Sequence, residues 1–124
     1  MLEGRLVATV NLFGTVERVA APEAVPAGRH RLGVEVLAGG RGGAVSLSID
    51  GTIVASGRLG RSLPFRWQIG GGGLLIGRDS GFPVCEDYRP PFPFSGTLHE
   101  VVLELPGLAP RDAPAEVAQA LHRE

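Results

Sequence analysis

The sequence predicts an all-β protein, an antiparallel β-sandwich that ends in a short helix. Apolar and polar residues alternate over many short segments, and 19 glycines and 10 prolines lie between these segments without forming a repeat. Alternation places apolar side chains on one face of a strand, while glycine and proline mark turns. With 124 residues, we expect one domain over 1–124, divided into a sandwich over 1–111 and a helix over 112–124.

The first half of the chain is predicted to contain five strands. Their ranges are 5–12, 16–20, 30–37, 44–49 and 52–56. Residues 21–28 contain Pro22 and Pro26 and are predicted to be a connection. Asp50-Gly51 separates the last two strands, and this dipeptide is a strong hairpin signal because both turn residues adopt positive φ. The predicted inward faces combine alternate apolar residues: Leu6, Ala8, Val10 and Leu12; Leu32, Val34 and Val36; Val45, Leu47 and Ile49.

The second half is organised around a long irregular loop, residues 78–93. Strands are predicted before it, over 62–69 and 74–76, and after it, over 94–105. A helix is expected from Asp112, with Pro114 in its first turn. A structureless loop longer than about 12–15 residues is usually functional or locally folded. We therefore look for a site in this loop, which contains Arg78, Asp79, Cys85, Glu86, Asp87 and Tyr88.

Composition excludes several classes of partner. The net charge of −1 argues against nucleic acid and against an anionic membrane surface. No apolar run approaches the roughly 18–20 residues of a membrane span. A single cysteine gives neither an internal disulfide nor a metal cluster. Met1 to Arg5 do not begin a signal peptide, which favours a cytoplasmic, reducing location.

Cys85 is a candidate nucleophile, and a semi-buried, inert thiol in the loop is the alternative. A nucleophilic thiol needs a histidine or a positive environment, and His30, His99 and His122 are scattered along the sequence. Glu100 and Glu104 lie on one face of the predicted last strand. At about 3.3 Å per residue they would stand roughly 13 Å apart, which is too far for the carboxylate pair of a glycosidase.

The loop also offers a cation site and an aromatic surface. Asp79, Glu86 and Asp87 could supply oxygens to calcium, or Asp79 and Asp87 could hold the loop by bonding backbone amides. Tyr88, Phe82 and Phe92 form either a contact surface for sugar or protein, or a small satellite core. Trp67, on the predicted strand 62–69, is either a core residue or a platform for a sugar ring.

Several motifs together give the chain a family resemblance. They are Asn11-Leu12-Phe13-Gly14, Pro26-Ala27-Gly28-Arg29-His30, Gly42 to Gly51, Gly77-Arg78-Asp79-Ser80-Gly81-Phe82-Pro83-Val84, Asp87-Tyr88, and Pro91 to Leu98. In this order and spacing the chain resembles the C-terminal β-sandwich of bacterial arylsulfatases, a domain similar to concanavalin A-like lectins and glucanases. The resemblance implies a jelly-roll fold and covers nearly the whole chain.

The resemblance implies a non-catalytic role. Sulfatases share a Cys/Ser-x-Pro-x-Arg motif in a separate α/β domain, whereas residues 85–89 place Asp87 where that proline belongs. No catalytic residue, cofactor or metal ligand is therefore carried over. The implied function is an accessory domain that packs against a sulfatase-type catalytic domain or another chain. The alternative is a lectin-like carbohydrate-binding module, with calcium as a possible aid, whose candidate binding residues are Arg78, Asp79, Asp87, Tyr88 and Trp67.

The resemblance also raises the question of strand edges. The sandwich of the relatives begins a strand or two earlier than this chain, so the strand 5–12 is expected to have an open edge. An open edge presents unpaired N–H and C=O groups and pairs readily with another chain. Since a symmetric dimer is the commonest way to close such a surface, the prediction is a homodimer, or docking onto a partner that supplies the missing strand.

Overall fold

The computed structural model describes residues 1–12, 14–39, 42–60 and 74–104. The chain divides into two compact units, Met1–Trp67 and Gln68–Glu124, and each is described by itself. Within the described ranges all regular secondary structure is antiparallel β-strand, so the predicted fold class is confirmed at that level. Trp67, the predicted strand 62–69 and the predicted helix 112–124 lie outside the described residues. The prediction of one domain over 1–124 stays a prediction.

The described residues of the first unit form five strands in two antiparallel sheets. They are β1 (Arg5–Leu12), β2 (Thr15–Ala24), β3 (Leu32–Gly39), β4 (Gly42–Ile49) and β5 (Thr52–Leu59). One sheet pairs β1 with β2, and the other has the order β3-β4-β5. The predicted turn at Asp50-Gly51 is confirmed, because both residues have positive φ, 52° and 82°.

Strand β2 is longer than predicted and contains Pro22, which was placed in a connection. The ladder between β1 and β2 is irregular at this point, since Arg5 pairs with Ala24 but Val7 already pairs with Ala20. Proline is tolerated in a strand at such a bulge because no ladder hydrogen bond has to come from its nitrogen. The bulge lets β2 continue past a residue that would end a regular strand.

One apolar cluster joins the two sheets. Its buried members come from four strands: Leu6, Val19, Ala21, Val45, Leu47 and Leu59. Ala8, Val10, Leu32 and Ile49 pack against it. The predicted inward faces of β1 and β4 are therefore confirmed for the residues described. Full burial of a side chain the size of Leu47 stabilises a fold by about 1.5–3 kcal/mol.

The inward face of β3 is only partly covered. Val34 and Val36 pair with Leu47 and Val45 and so lie on the same face of the sheet as those buried residues. Their own side chains are nevertheless 54% and 46% exposed. The reason is that β1 and β2 contact β4 and β5, the other two strands of the facing sheet. The sequence thus assigned Val34 and Val36 to the correct face of β3, but the prediction that they are buried is wrong.

The strands predicted over 74–76 and 94–105 are wrong for the residues that the structure describes. No strand is assigned between residues 74 and 104. A backbone hydrogen bond from the Phe94 N–H to the Gly77 carbonyl, 2.7 Å, links the two segments. A strand requires a continuing ladder with a neighbour, and Val101 and Leu103, which alternate in the sequence, remain exposed here. The alternation alone therefore did not produce a strand.

The missing side chain of Gly57 determines how closely the two sheets approach each other. A Cβ at this position would lie 2.4 Å from Cγ2 of Val19, on the facing sheet. We therefore expect Gly57→Ala to destabilise the protein by about 1–3 kcal/mol, the usual cost of overpacking a core. Chemical denaturation followed by circular dichroism measures the change.

Gly33→Ala is the matched control, because its added Cβ would meet the Ser48 Oγ, which can rotate away. It should cost less than Gly57→Ala. Val19→Ala in the Gly57→Ala background should recover part of the loss, since contacting residues couple. Additive effects of the two substitutions would contradict the assignment of the clash.

Candidate functional site

Tyr88 is the centre of the loop 78–93 in the second unit. Its hydroxyl donates a short hydrogen bond to the Asp79 carboxylate and accepts one from the Val84 N–H, 3.1 Å. Its ring contacts Phe92, with the two centroids 4.8 Å apart and the planes tilted by 33°. One side chain thus ties three separate parts of the loop together.

Asp79 is bonded through both carboxylate oxygens. One oxygen accepts the Ser80 N–H at 2.8 Å, and the other accepts the Tyr88 hydroxyl. Gly81 follows with φ 78°, a left-handed turn that glycine adopts without steric cost. Asp79 therefore fixes the backbone where the loop turns.

Residues 81–83 form the loop tip, and it projects an aromatic ring. The Phe82 side chain is 85% exposed. The residues before and after the tip, Ser80 and Val84, both donate their backbone N–H to the Asp79–Tyr88 pair. The tip is therefore held from both sides while its apolar side chain points away from the protein.

Cys85 is buried, and its thiol donates a hydrogen bond to the Asp87 carboxylate at 3.2 Å. A thiol that donates to a carboxylate carries its proton, whereas the nucleophilic form is the thiolate. His30, a candidate base, has both ring nitrogens next to other groups, Asp50 and Ala27. The geometry supports the inert-thiol alternative for Cys85.

The pKa of Tyr88 is raised above its ordinary value of 10.0. The main cause is partial burial of the phenol, which disfavours the charged phenolate, and the second is its hydrogen bond to Asp79. The neutral hydroxyl is therefore the form that the loop stabilises. In this form it donates to Asp79 and accepts from the Val84 N–H.

The predicted binding residues separate into different environments. Asp79 and Tyr88 contact each other, and Asp87 lies in the same loop as the partner of Cys85. Arg78 is exposed. The aromatic prediction divides in the same way, because Tyr88 and Phe92 form a small contact within the loop while Phe82 stays exposed. Ligand binding by these residues stays a prediction.

The acidic residues considered for a cation site are not grouped around a common centre in the part of the chain described here. Among these residues no three His, Cys, Asp or Glu side chains are grouped as a metal site. Glu100 and Glu104 are both exposed, and the strand on which their spacing was predicted is not formed.

In the part of the chain that the structure describes, no helix has the length and hydropathy of a membrane span.

Sequence reasoning missed two polar arrangements in the first unit. His30 Nδ1 lies 2.7 Å from an Asp50 carboxylate oxygen. Glu17 accepts the Gly60 N–H at 2.9 Å through one oxygen, while its other oxygen is buried and has no hydrogen-bond partner among the described residues. A signal existed for Glu17, since it alternates with Val19 and Ala21 and so occupies an inward position of β2. For His30 the sequence carries no such signal, because its pairing with Asp50 is visible only once the register between β3 and β4 is known.

Comparison of this chain with protein-family models, with curated proteins and with solved structures finds no match. The resemblance to the arylsulfatase C-terminal sandwich therefore stays a prediction that rests on the motifs quoted above.

The pKa of Tyr88 offers a direct test of the loop geometry, because this is the single tyrosine of the chain. Phenolate absorbance at alkaline pH should give a midpoint above 10.0. Asp79→Ala should lower that midpoint, since it removes both the hydrogen bond and the nearby negative charge that raise it. Glu86→Ala, which removes an exposed carboxylate of the same loop, is the control and should leave the midpoint in place. Equal midpoints for wild type and Asp79→Ala would show that the pair does not form.

Proposed function

We propose that this chain is a non-catalytic interaction module that packs against a catalytic domain or a second chain. The observation that carries the proposal is the contrast within the loop 78–93. Tyr88 bonds to Asp79 and Cys85 bonds to Asp87, while Phe82 is 85% exposed at the tip. An active site directs its polar groups at a substrate, whereas this loop uses them to support an exposed aromatic ring.

The bracing of the loop tip suits protein recognition. Binding is opposed by the loss of conformational freedom, and a segment that is already held loses less. Aromatic residues, phenylalanine among them, are enriched in the buried core of protein interfaces. Phe82 is accordingly the residue we assign to the contact, and an apolar pocket on a partner protein is the surface it fits.

The finer fold is part of the same proposal. Two antiparallel sheets that share one apolar cluster support a sandwich, and the motif resemblance makes it a concanavalin A-like jelly roll. Under this reading the partner is a sulfatase-type catalytic domain or a second copy of the chain. The alternative, a carbohydrate-binding module aided by calcium, is separated from it by calorimetric titration of sugars with and without calcium.

The first expected outcome is the absence of sulfatase activity in the isolated chain. Asp87 replaces the proline of the sulfatase motif, and the Cys85 thiol is buried and bonded to that carboxylate. Purified protein should not hydrolyse an aryl sulfate above the rate of a buffer blank, and Cys85→Ala should give the same result. Hydrolysis that disappears in Cys85→Ala would overturn the non-catalytic assignment.

The second expected outcome concerns self-association, measured by light scattering over a concentration series. If β1 pairs through its open edge, Val7→Lys should weaken the dimer, because Val7 lies outside the apolar cluster and a charge at an edge strand blocks pairing. Val10 is unsuitable for this test since it packs against the cluster. Ile53→Lys, at a 63% exposed position of β5, is the control. A monomer at every concentration would eliminate the second copy and leave a different protein as the partner of Phe82.

A further inference from the structure

Asp50 extends the ladder between β3 and β4 with its side chain. The last regular pair is Leu32 with Ile49. Beyond it, the Asp50 N–H donates to the Arg31 carbonyl at 2.8 Å, and the Arg31 N–H donates to an Asp50 carboxylate oxygen at 2.9 Å. Two residues that exchange two hydrogen bonds are the unit of an antiparallel ladder. The carboxylate here replaces a backbone carbonyl, because Asp50 is in the left-handed conformation of the turn.

His30 has a hydrogen-bond acceptor at each ring nitrogen. Nδ1 lies 2.7 Å from the second Asp50 carboxylate oxygen, and Nε2 lies 3.3 Å from the Ala27 carbonyl oxygen. Neither partner can donate, so each bond requires a proton on the ring. A neutral imidazole carries one such proton and the imidazolium carries two. The geometry therefore matches the charged ring.

We propose that Ala27, His30 and Asp50 form a pH-sensitive clamp, in which the imidazolium of His30 bonds the β2–β3 connection to the β4–β5 turn through Asp50 and bonds Ala27 within the connection, and loss of one proton releases Ala27. The proton that remains stays on Nδ1, where the shorter bond to a carboxylate holds it. The proton that leaves comes from Nε2 and passes to water, since the His30 side chain is 20% exposed. Deprotonation thus opens the contact between His30 and Ala27 within the connection, while the contact from His30 to Asp50 of the turn persists.

The groups facing His30 determine the direction of its pKa. The hydrogen bond to Asp50, and next the bond to the Ala27 carbonyl, raise the pKa of His30 above 6.5. Asp50 is the titratable group among the causes of this shift, and the other facing groups are the carbonyls of Ala27 and Pro26. The bond to His30, and next the Arg31 amide, lower the pKa of Asp50 below 3.8.

The two shifts bound the pH range of the clamp. A raised folded-state pKa makes the His30 contribution to stability complete below pH 6.5 and lost as the pH rises through the folded pKa. A lowered folded-state pKa makes the Asp50 contribution present above pH 3.8 and lost as the pH falls through its folded pKa. The clamp is closed between the folded-state pKa of Asp50 and the folded-state pKa of His30. At alkaline pH it opens at Ala27, because His30 loses a proton.

The test is a nuclear magnetic resonance titration of the ¹⁵N-labelled chain from about pH 5 to about pH 9, the range in which histidine changes charge. The His30 ring should titrate above 6.5 and become the Nδ1–H tautomer. The backbone amides of Ala27, Gly28 and Arg29 should shift with the same midpoint. Asp50→Asn keeps an oxygen for the Arg31 amide and tolerates the left-handed conformation, but it cannot stabilise the imidazolium. Its His30 midpoint should therefore fall below that of the wild type.

Thermal unfolding supplies a second readout with His30→Gln. The difference in melting temperature between wild type and His30→Gln should be largest below pH 6.5 and should shrink above it. Three results would overturn the clamp: a His30 midpoint at or below 6.5, the same midpoint in Asp50→Asn, or amides of 27–29 that do not follow it. If Asp50→Asn does not fold, a melting difference that is constant with pH also refutes the proposal.

Discussion

The contact between the two sheets at the centre of β4 is the constraint on which the rest of the first unit depends. Val45 and Leu47 are the largest fully buried side chains, and the facing sheet covers them with Leu6, Val19 and Ala21. This requires a close approach, which the missing side chain of Gly57 allows. Strand pairing, turns and edge positions follow from that approach, because each strand must keep its apolar alternation on the covered side.

The same contact explains which parts of the fold were predictable. The apolar face of β1 could be identified from Leu6, Ala8 and Val10 because alternation depends only on strand geometry. The exposure of Val34 could not, since it depends on where the facing two-stranded sheet ends, and that is a property of tertiary packing. Pro22 led to a wrong predicted end for β2 for a related reason, because a proline ends a regular strand but is accommodated at a bulge. Alternation over 94–104 resembled that of β1, yet a pattern without a paired neighbour does not make a strand.

The candidate site was predictable in composition but not in bonding. A loop rich in proline, aromatic and acidic residues was expected to be ordered, and Asp79 was a candidate for bonding the backbone. Which ring would meet it could not be inferred, because Tyr88 lies nine positions further along the chain and the intervening turn determines its direction. The pairing of His30 with Asp50 was hidden for a different reason. It arises from the register between β3 and β4, which brings residues 31 and 50 together.

Asp50 and Asp79 share one pattern of hydrogen bonding in two separate units. Asp50 accepts the Arg31 N–H through one carboxylate oxygen and the His30 Nδ1–H through the other. Asp79 accepts the Ser80 N–H through one oxygen and the Tyr88 hydroxyl through the other. Each ring then bonds a second backbone group, the Ala27 carbonyl or the Val84 N–H. A carboxylate used in this way is a structural element of a turn, so acidic residues in turns are poor evidence for a metal or catalytic site. The two cases differ in the ring, since imidazole changes charge near neutral pH while a phenol with a raised pKa does not. The same architecture therefore gives a permanent brace at Tyr88 and a pH-dependent one at His30.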